Sequence, residues 1–138
     1  MAEDDWSLIV SRPKGSAQQR VFRKNLAPAV GVRHPDYAFI AYVTFHYVPD
    51  DERGFPSPED ADALDEIERV EIPKLEADGL AILVAVVTKN GIKDFLFYTR
   101  DRLQFLTLAE KLQEAYPEFQ VGCEIASDPE WKHYEDFP

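Results

Sequence analysis

The chain has 138 residues and a mass of 15.8 kDa, which suits one domain with a sizeable core and is too little for two full domains. Its content of 45% apolar and 12% aromatic residues is too rich for a disordered protein. No apolar run approaches the roughly 18 residues that a membrane span requires. We therefore expect a single soluble domain over residues 1–138 that does not bind membranes.

The formal net charge of −11 is concentrated in two segments. Residues 59–78 contain nine acidic and two basic side chains, and residues 124–136 contain five acidic and one basic. Such a surface repels phosphate backbones over about one Debye length, roughly 8 Å at physiological salt, so we expect no nucleic-acid partner. A basic protein partner is compatible with this charge, although an acidic surface also serves solubility alone.

The location of the protein is predicted from its N-terminal segment and its cysteine content. Met1–Asp5 is acidic and lacks the basic region and the apolar core of a signal peptide. The one cysteine, Cys123, has no partner for an internal disulfide and no histidine beside it in the sequence. These features predict a cytoplasmic protein in which Cys123 is a buried structural thiol.

Three strands are predicted in the first third of the chain. Trp6–Ser11 and Arg20–Leu26 are short apolar runs, and the turn residues Pro13 and Gly15 between them predict a hairpin or a wide loop. Tyr37–Val48 alternates between two largely apolar faces and is the strongest strand signal in the chain.

A helix is predicted after Ser57, which is a good N-cap followed by Pro58 at the first helical position. Pro73 should kink or break this helix, because a proline in a helix interior costs on the order of 3 kcal/mol, and Gly79 should end it. The apolar residues repeat at helical spacing and should face inward. That arrangement leaves an outward acidic group as the candidate partner-binding surface: Asp62, Asp65, Glu66 and Glu68.

The second half of the chain contains a hairpin, a helix and a final strand. Leu80–Thr88 and Ile92–Thr99 flank an Asn-Gly pair at 90–91, which predicts a type I′ turn. A helix is predicted over Arg100–Tyr116 and a strand over Glu118–Ile125. The helix should bury a stripe made of Leu103, Leu106, Ala109, Leu112 and Tyr116. The tail from 127 to 138 should pack its aromatic residues on the domain: Trp131, Tyr134 and Phe137.

From residue 37 onward, this order is strand, helix, strand, strand, helix, strand. It predicts an α+β fold of the ferredoxin-like βαββαβ type, in which an antiparallel sheet carries both helices on one face. The N-terminal strand pair should extend the sheet, and the aromatic C-terminal tail should complete the domain.

One face of the third predicted strand collects polar side chains. Strand alternation places Tyr42, Thr44 and His46 on the same face, and pairing with the hairpin can add Asp94 and Tyr98. An aspartate can orient a histidine and raise its pKa, so these residues are weak candidates for a proton-transfer site. The alternative is a packed face whose polar groups are satisfied by hydrogen bonds.

The sequence contains no motif that specifies a reaction. His34, His46 and His133 lack metal-ligand spacing, and phosphate-binding glycine loops, a GxSxG elbow and calcium-loop spacing are absent. We therefore predict no metal and no cofactor, and we favour a binding protein over an enzyme.

Several motifs carry a resemblance to a known family. They are the segment Lys93–Thr99 in the hairpin, and the tail, where Asp-Pro-Glu-Trp at 128–131 precedes Tyr134 and a final Phe-Pro at 137–138. Together with Trp6 in the first strand, they make nearly the whole chain similar to the bacterial family catalogued as domain of unknown function 695. That family has no established activity. Members resemble, or are joined to, domains similar to the acidic ribonuclease E inhibitor regulators, which implies a protein-binding role by association.

The sequence thus predicts an acidic protein-binding or regulatory module of the inhibitor or immunity type. Two alternatives stay open. One is a small enzyme or ligand-binding domain that uses the Tyr42, His46, Asp94 and Tyr98 face, and the other is a structural homo-oligomer such as a homodimer. A deep pocket with converging polar groups would favour the first alternative, whereas a flat acidic or apolar surface would favour protein binding.

Overall fold

A computed structural model of the protein describes residues 5–138, in which six strands form one antiparallel sheet. The strands are β1 (Trp6–Ser11), β2 (Arg20–Asn25), β3 (Phe39–His46), β4 (Ala81–Lys89), β5 (Ile92–Thr99) and β6 (Gly122–Ser127). The helices are α1 (Pro58–Val70), α2 (Ile72–Glu76), α3 (Arg102–Ala115) and α4 (Lys132–Asp136). The order of strands across the sheet is β1-β2-β4-β5-β3-β6. The predicted α+β class is therefore confirmed.

The predicted N-terminal strand pair is present and extends the sheet. β1 pairs with β2 from Trp6 opposite Asn25 to Ser11 opposite Arg20, and β2 pairs in turn with β4. β1 consequently forms one edge of the sheet, and β6, which pairs with β3, forms the other. β3 itself is shorter than predicted, because Tyr37 lies in a turn closed by its N–H donating to His34 O at 3.0 Å.

The Asn-Gly turn between β4 and β5 has the conformation that its sequence predicts. Asn90 and Gly91 both have positive φ, 28° and 91°, as a type I′ turn requires. Glycine is also needed for space at position 91, since a Cβ there would lie 3.2 Å from Tyr47 O. Residues Ile92–Thr99 form β5 with the predicted bounds.

The first helical segment begins and breaks where the sequence predicts. The Ser57 side chain accepts a hydrogen bond from Asp60 N–H at 3.2 Å and caps α1. α1 ends at Val70, and Pro73 occupies the first turn of α2, where its missing N–H removes no helical hydrogen bond. A 3-10 turn at Ala77–Gly79 then leads into β4.

The buried face of α3 differs from the predicted stripe. α3 buries Phe105, Ala109 and Leu112, whereas Leu103 is 70% exposed. The prediction was wrong for Leu103 because a spacing of three residues drifts around the helix, and the larger Phe105 determines which side packs. β6 also begins later than predicted, since Pro117–Phe119 forms a 3-10 turn before it.

The sheet is covered by different elements on its two faces. On one face, which we call the helix side, α1, α2 and α3 bury the larger apolar cluster, including Leu64, Phe95 and Phe105. On the opposite face, the tail side, the C-terminal tail packs over β3, β4 and β5. No helix among residues 5–138 is both long and apolar enough to span a membrane.

The predicted packing of the aromatic tail is confirmed. Trp131 is fully buried, and its indole N–H donates to Tyr37 O at 2.9 Å. Tyr134 is 6% exposed and donates its hydroxyl to Asn25 O at 2.7 Å, while half-buried Phe137 meets the Phe22 ring edge-on. The short helix α4, which the sequence did not predict, orients these side chains toward the sheet.

Candidate functional site

A polar cleft lies on the tail side between the sheet and the C-terminal tail. Antiparallel register places Thr44 of β3 opposite Asp94 of β5, and the Thr44 hydroxyl donates to Asp94 Oδ1 at 2.7 Å. Tyr42 lies two residues along β3 on the same face, as predicted. The cleft has a volume of about 480 Å³, and its wall includes Phe22, Tyr42, Lys89, Asp94, His133 and Phe137.

Asp94 is a titratable group in the wall of this cleft with a clearly shifted pKa. Burial raises the pKa of its carboxyl to about 6, against the lowering effects of the Thr44 hydrogen bond and the charge of Lys89. An acid with that pKa exchanges its proton close to neutral pH, which is the range a general acid or base requires. The cleft therefore holds one group suited to proton transfer.

The histidine that meets Tyr42 comes from the tail. The Tyr42 hydroxyl lies 2.6 Å from His133 Nδ1, whereas the predicted histidine, His46, places its Nδ1 2.9 Å from Gln120 O. His46 and Asp94 both line a smaller depression of about 340 Å³ next to β6. The sequence did not identify His133 as a site residue because it lies 91 residues from Tyr42. The predicted packing of the tail on the domain was the feature that could have indicated a contact between the two residues.

Tyr98 faces the tail side as predicted but is not available for chemistry. It is fully buried, donates its hydroxyl to Asp128 Oδ2 at 2.7 Å and accepts the Tyr134 N–H at 3.2 Å. Asp128 in turn accepts the N–H groups of Lys132 and His133, both at 3.0 Å, at the start of α4. Tyr98 is therefore a structural residue that anchors the tail, which corrects its place among the candidates.

Three of the four predicted acidic residues on α1 face solvent, and the fourth packs toward the sheet. Asp62, Asp65 and Glu66 are exposed, as predicted. Glu68 is half-buried and forms two hydrogen bonds with the Arg23 guanidinium, at 2.8 and 2.5 Å. The prediction that Glu68 faces outward was wrong, because residue 68 follows Leu64 by four positions and so shares its inward face.

Glu68 also pairs with a buried lysine of β5. The Nζ atom of Lys93 lies 3.1 Å from Glu68 Oε1, and the Lys93 side chain is only 8% exposed. Burial raises the pKa of Glu68, but the hydrogen bond from Arg23 and the charge of Lys93 outweigh it and hold that pKa below its ordinary value. This carboxylate thus holds α1 against β2 and β5 and is unavailable to a partner.

An apolar groove lies on the helix side beside α1. Its volume is about 430 Å³, and it is lined by Val21, Phe55, Leu64 and other apolar residues. Its charged residues are two acids and two bases: Asp50, Asp65, Arg53 and Lys93. Val21 of β2 stands opposite Val10 of β1 in the sheet register. The groove is therefore continuous with the side chains of the edge strand.

The edge strand β1 exposes apolar side chains. Leu8 is 65% exposed, Val10 59% and Trp6 37%, and Ile9 on the opposite face is 41% exposed. Leu8 stands opposite Arg23, whose side chain bonds to Glu68 of α1, so Leu8 faces the helix side. Because side chains alternate along a strand, Trp6 and Val10 face the same side. We call these three residues the β1 strip. The sequence predicted β1 only as an extension of the sheet. Its lack of charged residues could also have indicated an exposed apolar edge.

The remaining candidates are accounted for by packing. Cys123 is half-buried, not fully buried as predicted, and burial raises the pKa of its thiol to about 11, so it is protonated near neutral pH. Within residues 5–138, no cluster of three or more His, Cys, Asp or Glu side chains is placed to hold a metal ion.

Comparison with known proteins places the chain in a family. Residues 4–137 match the family of unknown function DUF695, so the match covers nearly the whole chain. No curated protein matches the chain, and no solved structure does. The residues that carry the predicted resemblance, in the hairpin segment and in the aromatic tail, lie inside the matched range except for the last, Pro138. The chain belongs to the DUF695 family.

Proposed function

We propose that this chain is a protein-binding module that recognises a basic, amphipathic segment of a partner protein, as inhibitor, immunity or regulatory proteins do. The observation that carries the proposal is the composite surface on the helix side, where an apolar groove beside the exposed acids of α1 continues into the exposed β1 strip. Apolar surface rimmed by charge is typical of protein interaction sites.

The apolar part of this surface lies at the edge of the sheet, beyond the contact of α1 with β2. That contact is the pair between Glu68 and Arg23, and the next strand, β1, leaves the side chains of the β1 strip exposed. The side chains of the β1 strip alternate along the strand, about 7 Å apart, and point to the side of the sheet that carries the groove. A partner side chain that enters the groove can therefore contact the strip as well.

The acidic part of this surface supplies charge for steering. Asp62 and Asp65 are exposed, and the Asp65 side chain, 75% exposed, has only a 3.4 Å contact with Lys93. Glu66 is exposed and pairs with Arg69. Acidic side chains at the rim of an interface attract a basic partner and raise its association rate, and salt weakens this effect.

The test is affinity capture from a cytoplasmic extract at low and high ionic strength. We expect a partner that is lost at high salt, lost from the charge variant D62N/D65N/E66Q, and lost from the apolar variant Leu8→Ser/Val10→Ser. The matched control is E110Q/E114Q/E118Q, on α3 and the 3-10 turn after it, which removes the same number of acids outside the groove lining and should retain the partner. Capture of the same proteins by all four chains would contradict the proposal.

We also propose a finer description of the fold, a ferredoxin-like unit formed by β3 to β6 with the helices between them. The order β4-β5-β3-β6 and the antiparallel pairing of these strands support it, as does the packing of α1 and α3 into one cluster. An experimental structure with a different strand order would contradict it. A cytoplasmic location stays a prediction, which cell fractionation would test.

A second candidate function is ligand binding in the tail-side cleft. It is favoured by the polar groups that converge there, namely Asp94 with its raised pKa and the Tyr42–His133 pair. Screening small polar molecules by NMR on wild type and Asp94→Asn tests it. A ligand that shifts resonances around the cleft in wild type but not in Asp94→Asn would support this function, and the absence of any such ligand would contradict it.

A further inference from the structure

The free edge of β1 presents backbone hydrogen-bonding groups to solvent. Leu26 N–H donates to Asp5 O at 2.6 Å, so the residue preceding β1 faces β2 with its backbone groups. Because this orientation alternates along an antiparallel strand, Ser7 and Ile9 also bond toward β2. The backbone N–H and C=O groups of the β1 strip therefore point outward, and nothing among residues 5–138 pairs with them.

This edge lacks the features that protect other edge strands. Natural sheets blunt their edges with lysine, proline, bulges or inward charges, and Trp6–Ser11 contains none of these residues. β6 at the opposite edge carries the exposed acid Glu124. An unprotected apolar edge is a template for pairing with another strand.

We propose that β1 pairs with β1 of a second copy of this chain, antiparallel and centred on Leu8. A twofold axis perpendicular to the sheet requires opposed residues to lie on the same face, so each β1 strip residue must meet another. Centring on Leu8 pairs the largest part of the strand: Leu8 lies opposite the partner's Leu8, and Trp6 lies opposite the partner's Val10. This register gives about six new backbone hydrogen bonds.

The charges at the two ends of β1 favour this antiparallel arrangement. Asp5 is exposed just before the strand, and Arg12 is exposed just after it. Antiparallel pairing about Leu8 places Asp5 opposite the partner's Ser11, so the acidic end of each β1 lies next to the basic end of the other at both ends of the joint strand pair. Parallel pairing would instead place like charges together, which is unfavourable. Self-complementary charge of this kind is what a symmetric interface between two copies requires.

The dimer goes beyond the proposed binding function and is compatible with it. Pairing uses the backbone edge of β1, whereas the side chains of the β1 strip stay on the helix side. Since the twofold axis is perpendicular to the sheet, the two β1 strips adjoin on the same face, and the α1 helices of both copies flank them. The apolar surface offered to a basic partner is thereby doubled.

The first test is the mass in solution by light scattering over a range of protein concentrations. We expect wild type to approach twice its chain mass of 15.8 kDa as concentration rises. Leu8→Pro should stay at the mass of one chain, because it removes an N–H that faces the open edge and none that bonds to β2. Leu8→Lys serves as a second disrupting variant, and circular dichroism checks that both fold. A wild type that stays monomeric at high micromolar concentration would overturn the dimer, and it would leave the capture experiment above unaffected.

The second test addresses the register through oxidative crosslinking in a Cys123→Ser background. Leu8→Cys should crosslink, because opposed Cα atoms in a hydrogen-bonded pair lie about 5.5 Å apart, within the reach of a disulfide. Val10→Cys is the matched control, since the two Val10 positions would be four residues out of register, about 13 Å apart. Equal crosslinking of both variants, or crosslinking of Val10→Cys alone, would overturn the register.

Discussion

The indole of Trp131 lies flat on the ring of Tyr98, with centroids 4.0 Å apart and ring planes 6° from parallel. This stack joins the C-terminal tail to the middle of the sheet, because Tyr98 belongs to β5 and is fully buried. The Tyr98 hydroxyl also donates to Asp128, which caps the start of α4. Tyr98 therefore fixes the tail in two ways, through the stack of its ring on Trp131 and through the hydrogen bond of its hydroxyl to Asp128.

Trp131→Ala should consequently lower the free energy of unfolding by about 3–5 kcal/mol, the usual cost of truncating a buried tryptophan. Denaturant unfolding measures this loss, and Lys132→Ala, at an exposed neighbouring position, is the control. Removing residues 127–138 altogether should lower the thermal midpoint clearly. An unchanged midpoint would show that the tail contributes nothing to stability.

Glu68→Gln should destabilise the protein by about 1–3 kcal/mol, because it leaves the buried ammonium of Lys93 and the guanidinium of Arg23 without their carboxylate. Glu66→Gln is the matched control on the same helix. It breaks only an exposed pair with Arg69, so we expect a change of less than about 0.5 kcal/mol. Equal effects of the two variants in urea unfolding would contradict the structural role of Glu68.

The contribution of Glu68 to folding stability should decrease as the pH falls into the acidic range. Its pKa is held below the ordinary value of 4.5, so the folded protein favours the ionised form. The stabilisation is therefore present above the pKa of the unfolded chain and is lost as pH falls through the lower, folded value. The difference in stability between wild type and Glu68→Gln should shrink in that acidic range, which unfolding curves at decreasing pH would reveal.

Asp94 should show the opposite pH dependence. Its pKa rises from 3.8 to about 6 on folding, so the folded protein keeps a proton that the unfolded chain has released within that window. The contribution of Asp94 to stability therefore falls as pH rises through the window, by about 3 kcal/mol at most. Asp94→Asn should equal wild type near pH 4 and be more stable near pH 8. Asp62→Asn, at an exposed carboxyl, is the control, and parallel pH profiles for Asp94→Asn and wild type would contradict the prediction.

Gly54 should tolerate alanine less well than Gly15 does. Both have positive φ, 87° and 78°, so either substitution carries the left-handed strain of about 1–2 kcal/mol. A Cβ on Gly54 would also lie 2.9 Å from Asn90 Cα in the backbone, whereas a Cβ on Gly15 meets nothing within 4 Å. Gly54→Ala should therefore cost more than Gly15→Ala by about 1 kcal/mol or more. Thermal unfolding of the two variants compares them directly, and equal midpoints would show that the loop moves aside.

Several features of the fold could be predicted from the sequence because their causes are local. The cap at Ser57, the helix break near Pro73 and the turn at Asn90-Gly91 each depend on the backbone preferences and hydrogen bonds of a few adjacent residues. The common face of Tyr42 and Thr44 follows from the alternation of any strand. These predictions need no knowledge of which residues pack against the sheet.

The packed side of α3 depended on the tertiary structure. Its sequence contains two overlapping apolar stripes, one through Leu103 and Leu106 and one through Phe105, Ala109 and Leu112. Helical periodicity alone permits both. The sheet selects the second, because it buries the larger aromatic side chain against Phe97 at a centroid distance of 5.2 Å.

Amino-acid sequence alone determined the order of the strands and of the longer helices, the family and the acidic character of α1, since these depend on composition and on neighbouring residues. Only the tertiary structure decided that Glu68 pairs with Arg23, 45 residues away, and that His133 meets Tyr42. It also decided that the side chains of the β1 strip are left exposed at the edge of the sheet. The physical reason is that ion pairing and burial depend on distances between segments that the chain brings together only when the sheet has formed.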